Sequence, residues 1–163
     1  MKRIGDRMKK VLFISSTGGH FSELMQLKKL FSKFEYHIVT ERTKSNRYLE
    51  NEYPGNISFL MYGTKRNPIT YFFIFIFNMV RSFMIFMKQR PDVVVTTGTH
   101  TAVSMCYIAK LFRKKVIFIE TFANRNTRTV SGALIYPIAD TFVVQWEEML
   151  KKYPKAEYWG WIY

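Results

Sequence analysis

Short runs of β-branched and apolar residues alternate along this chain with segments whose apolar residues recur every three or four positions. The runs have the length of strands, and the periodicity between them is that of helices with one buried side. The predicted strands span residues 10–15, 36–40, 57–62, 92–97, 115–120 and 141–145. The predicted helices span residues 21–31, 69–88, 101–112, 130–138 and 146–153, and the polar segment 41–56 is predicted to be a loop or short helix. This alternation predicts an α/β fold: a Rossmann-like parallel sheet of about six strands with helices on both faces.

The apolar content is sufficient for one folded domain. Hydrophobic residues make up 48% of the 163 residues, which is typical of chains that bury a core and unlike disordered chains. We expect a single domain over residues 1–163 that ends in an aromatic tail at about 154–163. Aromatic side chains exposed in a tail suggest a surface for a protein partner. The tail aromatics are Tyr158, Trp159, Trp161 and Tyr163.

The cysteine count and the missing nucleotide motifs exclude several kinds of site. Cys106 is the only cysteine, so neither a disulfide framework nor a cysteine-rich zinc site is possible within this sequence. The sequence has no G-x-G-x-x-G and no Walker motif, and we predict no cofactor and no metal. The apolar run after the basic N-terminus is too short for a signal peptide. The single cysteine and the lack of an export signal predict a cytoplasmic location.

The charge of the chain points to a polyanionic partner. Lys and Arg number 25 against 12 Asp and Glu, a formal charge of +13. Nucleic acid, an anionic membrane surface and phosphate groups would each fit such a surplus. Nucleic acid is disfavoured, because the aromatic residues cluster with aliphatic residues and do not interleave with basic ones.

The stretch 69–87 is apolar enough to cross most of a bilayer core of about 30 Å at about 1.5 Å per residue. A transmembrane span, a buried core helix and a helix lying in the membrane interface are all compatible with it. A spanning helix would carry Arg81 near its middle at a cost of about 2.5 kcal/mol or more. A crossover helix is also needed here between two strands. The interfacial helix is therefore favoured.

A helical projection at about 100° per residue assigns the two sides of this helix. The side predicted to meet the membrane combines apolar residues with cations: Ile74, Phe77, Arg81, Ile85 and Lys88. The side predicted to pack on the sheet is apolar: Phe72, Ile76, Met79, Phe83 and Phe86.

Two glycine-containing loops follow predicted strands and open predicted helices. Thr17, Gly18, Gly19 and His20 follow the first strand, where glycine permits close approach of a ligand and helix-start N–H groups attract phosphate. His20 is suited to hydrogen bonding with phosphate or to general-base catalysis. A tight turn with a capping histidine is the alternative.

The second loop follows the fourth strand and contains Gly98, Thr99, His100 and Thr101. Its hydroxyl groups are suited to binding phosphate or to capping the following helix, and the sequence does not decide between the two.

Polar residues also follow the fifth and sixth strands, at the edge where ligands of parallel sheets bind. Glu120 is a candidate base or sugar-binding acid, with a structural role as the alternative. Asn124 and Arg125 are candidate phosphate ligands or parts of a solvated loop. Trp146 is suited to sugar stacking or to an interface, and packing is its default role.

These segments occur in an order that resembles one known family. The strand–STGGH–helix unit is followed by RPDVVVTTG, CYIAKLF, VIFIET, LIYPIADTFVVQWEEM and KKYPKAEYWGWIY. Over nearly the whole chain, this order is similar to the acceptor-side subunits of split GT-B glycosyltransferases. Those include the eukaryotic membrane subunit of the dolichol-linked UDP-N-acetylglucosamine transferase and bacterial capsule and exopolysaccharide proteins. A more distant resemblance is to the N-terminal half of the lipid II glycosyltransferase.

The resemblance implies a Rossmann-like half enzyme at the cytoplasmic face of the membrane, peripheral or monotopic. It implies an accessory subunit that binds a polyprenyl-diphosphate-linked sugar while a separate catalytic subunit binds the UDP-sugar. Gly18, Gly19 and His20 would then meet the acceptor diphosphate with His20 as a possible base, and 98–101 would form the second acceptor loop. Glu120 would be a strand-end catalytic acid, and Tyr158–Tyr163 would dock the partner. A stand-alone glycosyltransferase and a basic membrane scaffold without acceptor contact remain the alternatives.

Overall fold

A computed structural model describes residues 7–63 and 67–162, and these residues form a twisted sheet with helices on both faces. The described strands are β1 Lys10–Ile14, β2 Glu35–Arg42, β3 Ile57–Met61, β4 Val93–Thr96, β5 Lys115–Ile119, β6 Thr141–Val144 and β7 Glu157–Tyr158. All six pairings are parallel, in the order β3-β2-β1-β4-β5-β6-β7. The predicted Rossmann-like fold is thereby confirmed, with a short seventh strand added by the tail.

The helices fill the predicted positions with shifted ends. They are α1 Gly19–Gln26, α2 Leu49–Glu52, α3 Pro68–Gln89, α4 His100–Leu111 and α5 Val130–Ile135. The segment predicted as one helix over 21–31 is α1 followed by a 3₁₀ helix, Leu27–Lys33, and the segment predicted as a helix over 146–153 is a 3₁₀ helix, Glu147–Lys151.

Two buried clusters lie on opposite faces of the sheet. One face is covered by α1 and the following 3₁₀ helix through Leu24, Leu27 and Phe31. The other is covered by α3, α4 and α5, where Cys106 lies in the core. Burial raises the pKa of the Cys106 thiol. The small residues of α4 let this helix lie close to the strands.

The long helix α3 has one side that packs on the fold and one that is exposed. Asn67 caps its first turn by accepting a hydrogen bond from Thr70 N–H at 3.2 Å, and Pro68 occupies the first helical position. Its middle is fixed to the edge strand by Asn78, whose amide bonds both the N–H and the C=O of Met61 at 2.8 Å. By length and composition alone α3 would suffice to cross a membrane.

The predicted sides of α3 need correction. Ile85 is 9% exposed and belongs to the core, and Ile74 is half-buried against Gly63, so neither lies on the exposed side. Phe77, Arg81 and Lys88 are exposed as expected. Of the side predicted to pack on the sheet only Phe86 is buried, whereas Phe72, Ile76, Met79 and Phe83 are exposed. The observed buried side follows Asn78, Ser82, Ile85 and Phe86. The exposed side carries Ile69, Phe72, Phe73, Ile76, Phe77, Met79, Val80, Phe83, Met84 and Met87.

Candidate functional site

The strand order reverses between β1 and β4, which places a crevice at the carboxyl ends of these two strands. The loops that follow them are joined directly, because Ser16 N–H donates to the carbonyl of Gly98 at 3.1 Å. The two glycine-containing loops predicted to bind the same ligand therefore lie side by side.

Gly18 and Gly19 form the open part of the first loop. Both are exposed, and a Cβ built on either would meet no heavy atom within 4 Å. Gly18 has a φ of +80°, a conformation that favours glycine, and α1 begins at the next residue. Thr17 lies beside them, half-buried, with its N–H 3.5 Å from Glu41. The N–H groups of the first helical turn are thus open to an anion at the crevice.

Two hydrogen bonds join His20 to Thr97, in the loop that follows β4. Its Nδ1 lies 2.9 Å from the carbonyl oxygen of Thr97, and the Thr97 hydroxyl donates to the carbonyl of His20 at 2.7 Å. Since a carbonyl oxygen only accepts, Nδ1 carries the proton in the neutral ring. This leaves the lone pair on Nε2, which is the form a general base requires.

Glu23, one helical turn after His20, faces the same ring. Its Oε2 lies 3.7 Å from His20 Nδ1, is buried, and has no hydrogen-bond partner within the described residues. Its Oε1 accepts bonds from the Thr121 hydroxyl at 2.7 Å and from Phe122 N–H at 3.0 Å, which join α1 to the loop after β5. The second oxygen is therefore placed to stabilise a positive charge on His20.

The second loop is organised by Glu41, at the carboxyl end of β2. Glu41 is 1% exposed; its Oε1 accepts from the Thr101 hydroxyl at 2.6 Å and lies 3.4 Å from His100 Nε2. Gly98 has a φ of +95° and lies against His20, and Thr99 precedes α4. The hydroxyl of Thr101 is occupied by Glu41. The Thr99 hydroxyl lies 3.3 Å from His100 Nδ1, and the phosphate contacts of Gly98, Thr99 and His100 stay predictions.

Glu120 is turned away from the crevice. It is 2% exposed, and its carboxylate is bonded by the Thr129 hydroxyl at 3.0 Å and the Tyr153 hydroxyl at 3.0 Å. Burial raises the pKa of Glu120, and these hydrogen bonds oppose the rise. The predicted catalytic role is corrected here, because an acid sealed against α5 cannot reach a substrate; its geometry is that of a structural anchor for α5.

The loop after β5 leads to an aromatic cluster. Arg125 forms an ion pair with Glu148 at 2.5 Å and lies 4.9 Å from the ring centroid of Trp146. Asn124 accepts a bond from the Thr127 hydroxyl at 2.7 Å. Both residues lie on a different loop from the two glycine loops, and their phosphate contacts stay predictions.

The aromatic cluster is built from Trp146 and the tail. Trp146 donates to the carbonyl of Phe122 at 2.8 Å, and Trp161 meets both rings edge-on at 5.4 and 5.9 Å. The tail is tied to the sheet by Ile162 N–H, which donates to the buried Gln145 at 3.3 Å. Tyr158, Trp159 and Trp161 keep 46%, 54% and 69% of their surface exposed. Tyr163 lies outside the described residues.

An apolar groove of about 410 Å³ connects the second loop with the exposed side of α3. His100 lies at its polar end, Tyr71 and Phe75 form its wall on α3, and Leu134 closes it on α5. Its lining is almost entirely apolar apart from His100, so it suits a hydrocarbon chain better than a polar ligand.

Sequence reasoning did not find Glu23 or Glu41. The spacing could have indicated Glu23, since it lies three positions after His20 in a helical segment and therefore on the same side of the helix. Glu41 directly follows the predicted strand 36–40, at the same sheet edge as the two loops. No three His, Cys, Asp or Glu side chains come together as a metal site would need within residues 7–63 and 67–162.

The same fold is found in part of several larger proteins of known structure. MurG from Acinetobacter baumannii superposes with a TM-score of 0.69 at 16% identity, over 86% of this chain and 42% of that one. A UDP-GlcNAc 2-epimerase from Methanocaldococcus jannaschii superposes with a TM-score of 0.70 at 17% identity, over 90% of this chain and 43% of that one. These likenesses establish the GT-B-like Rossmann architecture.

Sequence comparison places the chain in a family. The profile described as "Oligosaccharide biosynthesis protein Alg14 like" matches residues 62–162, more than half of the chain, and the chain belongs to that family.

Relatives named UDP-N-acetylglucosamine transferase subunit ALG14 include those of Yarrowia lipolytica, 39% identical over 45% of this chain, and Homo sapiens, 28% identical over 92%. The match spans 37% of the Yarrowia protein and 42% of the Candida albicans protein, against 81% of the human one.

Proposed function

We propose that this chain is the accessory, membrane-associated subunit of a two-component glycosyltransferase. It binds a polyprenyl-diphosphate-linked sugar acceptor, and a catalytic partner subunit binds the UDP-sugar. The observation that carries the proposal is the open Gly18–Gly19 helix start beside His20, whose Nε2 carries the lone pair. The product serves lipid-linked oligosaccharide synthesis or a bacterial capsule or exopolysaccharide.

The proposed chemistry uses His20 as the base. The acceptor diphosphate binds at the N–H groups of Gly18 and Gly19. His20 Nε2 removes the proton of the acceptor hydroxyl as that oxygen attacks the anomeric carbon and UDP leaves with the bonding electrons. Glu23 stabilises the imidazolium that results, at 3.7 Å from Nδ1. Glu23 touches no reacting atom and is a positioning residue.

The second loop supports the same ligand. Glu41 fixes Thr101 and faces His100, so the start of α4 keeps one orientation beside the first loop. Gly98, Thr99 and His100 then complete the acceptor pocket, and Asn124 and Arg125 extend it toward the partner. The groove that leaves His100 is proposed to take the first part of the polyprenyl chain, since it leads to the exposed side of α3.

Membrane contact is proposed through the exposed side of α3, which lies in the interface at the cytoplasmic face. Large apolar side chains cover it, with Phe73 66% and Met84 56% exposed. Arg81 and Lys88 flank this side, where their charged groups reach anionic headgroups while their stems stay apolar. The bonds from Asn78 to the edge strand favour a peripheral helix over a spanning one.

The partner subunit is proposed to dock on the aromatic cluster of the tail. Trp146, Tyr158, Trp159 and Trp161 lie at the end of the sheet where the crevice opens, and Tyr163 follows them in sequence. Aromatic residues of this kind are enriched at the centres of protein interfaces. Docking there would bring the donor sugar of the partner over the acceptor loops.

The test is sugar transfer from a panel of UDP-sugars, UDP-N-acetylglucosamine first, to polyprenyl-diphosphate-linked acceptors. Reactions contain this chain alone, a candidate catalytic subunit from a neighbouring gene alone, or both. Transfer that requires both supports the proposal and names the donor. Transfer by this chain alone indicates a stand-alone enzyme, and equal transfer by the partner alone reduces this chain to a scaffold.

A further inference from the structure

A basic pocket of about 400 Å³ lies where β2, β3 and α3 meet, near the β3 edge of the sheet. Arg42, Lys44, Arg47 and Arg81 surround it, and Phe59 forms part of its floor. The pocket lies on the β3 side of β2, whereas the crevice lies between β1 and β4, beyond the neighbouring strand β1. Its lining residues differ from those of the proposed acceptor site, although Glu41 of that site directly precedes Arg42 in β2.

The wall formed by the chain after β2 is preorganised. Thr43 and Asn46 form a capping box, and the Asn46 amide donates to the carbonyl of Glu41 at 2.7 Å. This fixes the short 3₁₀ turn that carries Lys44 and leads into Arg47. Arg42 is held separately, 5.2 Å from the ring centroid of Phe59 and 2.7 Å from a Glu50 oxygen.

The charge in the pocket is left largely uncompensated. Glu50 pairs with Arg42, but Lys44, Arg47 and Arg81 make no ion pair within residues 7–63 and 67–162. Three cations from two elements thus converge on one cavity. Such a cavity attracts phosphate more strongly than scattered surface lysines do.

The position of the pocket indicates which phosphate it meets. Phe77 and Arg81 lie on its rim and also on the flank of the exposed apolar side of α3. A ligand bound there would have its charged group in the pocket and its apolar part beside Phe77 and Val80, along the membrane surface. We propose that the pocket binds the phosphate headgroup of an anionic membrane lipid, an inference that rests on the proposed membrane contact of α3.

The experiment is vesicle flotation of the full chain. Vesicles are made of phosphatidylcholine alone or of phosphatidylcholine mixed with phosphatidylglycerol. The pocket variant is Lys44→Gln/Arg47→Gln/Arg81→Gln, which leaves Arg42 and the capping box in place. The matched control is Lys28→Gln/Lys29→Gln/Lys33→Gln, which removes the same charge from the opposite face of the sheet. Thermal unfolding verifies that both variants are folded.

We expect the wild type to prefer anionic vesicles, and the pocket variant to lose about ten- to a hundredfold of that preference. The control should keep most of it. Equal loss in the two variants would overturn the proposal, because overall charge would then explain the binding.

Two further outcomes identify what has failed. Equal binding of the wild type to both vesicles refutes the pocket and leaves the membrane role of α3 intact, whereas binding to neither vesicle refutes that role as well. Inorganic phosphate and a soluble phosphatidylglycerol are also compared as competitors for the pocket. Equal affinity of the two would show that the ligand is a free phosphate and would overturn the lipid assignment. Gly19→Ala, outside the pocket, should bind anionic vesicles as the wild type does even if it abolishes sugar transfer.

Discussion

The side-chain amide of Asn78 pairs with the main chain of Met61 through two hydrogen bonds of 2.8 Å, accepting from its N–H and donating to its C=O. Met61 ends β3, an edge strand with no neighbour on its outer side among the described strands. The amide therefore occupies the position that another strand would take, and it ties the middle of the apolar helix α3 to the sheet.

Replacing Asn78 by Leu should lower the free energy of unfolding by about 1–3 kcal/mol, because both Met61 groups lose their partner. Denaturant unfolding measures the change. Met79→Leu, one position along on the exposed side, is the control and should stay within about 0.5 kcal/mol. An equally small effect of Asn78→Leu would show that other contacts hold α3 in place.

A methyl group at Gly132 should be strongly destabilising. A Cβ there would lie 2.4 Å from Glu120 Oε2 and 2.6 Å from the Tyr153 hydroxyl. We expect Gly132→Ala to lower the free energy of unfolding by about 1–3 kcal/mol or more, since a shift of the Glu120 carboxylate would disturb its hydrogen bonds with Thr129 and Tyr153. Gly19→Ala, with nothing within 4 Å of its Cβ, should change stability by less than about 0.5 kcal/mol.

The buried His37 should make the fold sensitive to mild acid. Burial first, and then the charge of Lys88, lower the pKa of His37 to about 4. Between pH 4 and the ordinary value of about 6.5 the unfolded chain binds more protons at this position. The contribution of His37 to the free energy of unfolding is therefore fully present above pH 6.5. It decreases as the pH drops toward 4, by about 3 kcal/mol at most.

Urea unfolding at several pH values tests this. His37→Gln should flatten the dependence between pH 4 and 6.5, whatever it does to absolute stability through the lost 2.8 Å bond to Ser58. If the free energy of unfolding of His37→Gln still falls between pH 6.5 and 4, the pH dependence arises from the carboxylates instead.

The Glu23 carboxylate should matter for rate more than for acceptor affinity. Glu23→Gln keeps an oxygen for Thr121 and Phe122 but removes the charge that faces His20. We expect kcat of the two-subunit enzyme to fall by about tenfold or more, with the acceptor KM nearly unchanged and the pH–rate profile altered. Glu23→Asp should restore part of the rate. A change in KM alone would indicate that Glu23 only shapes the loop.

Local patterns in the sequence were sufficient for the fold and for the two glycine loops. Strand and helix periodicities are properties of neighbouring residues, and parallel order follows from their alternation. The adjacency of the loops 17–20 and 98–101 then followed from their positions after strands of one parallel sheet. The tail strand β7 has two residues and no periodicity of its own, so its pairing with β6 depends on the sheet already being formed.

The misassigned residues depended on contacts far apart in sequence. Polar Asn78 and Ser82 look like the exposed side of a helix, yet Asn78 is buried by its bonds to Met61, which moves Ile85 into the core. The direction of Glu120 is set by the space above Gly132 and the hydroxyl of Tyr153. Neither relationship leaves a signal within a window of the sequence.

The central claim is that this chain supplies the acceptor site and the base while another subunit supplies the donor. The most direct measurement is the rate of sugar transfer by the reconstituted two-subunit enzyme carrying His20→Gln, with acceptor binding measured alongside. We predict a fall in kcat of about a hundredfold or more, with the complex intact and the acceptor still bound. A rate within twofold of the wild type would contradict it.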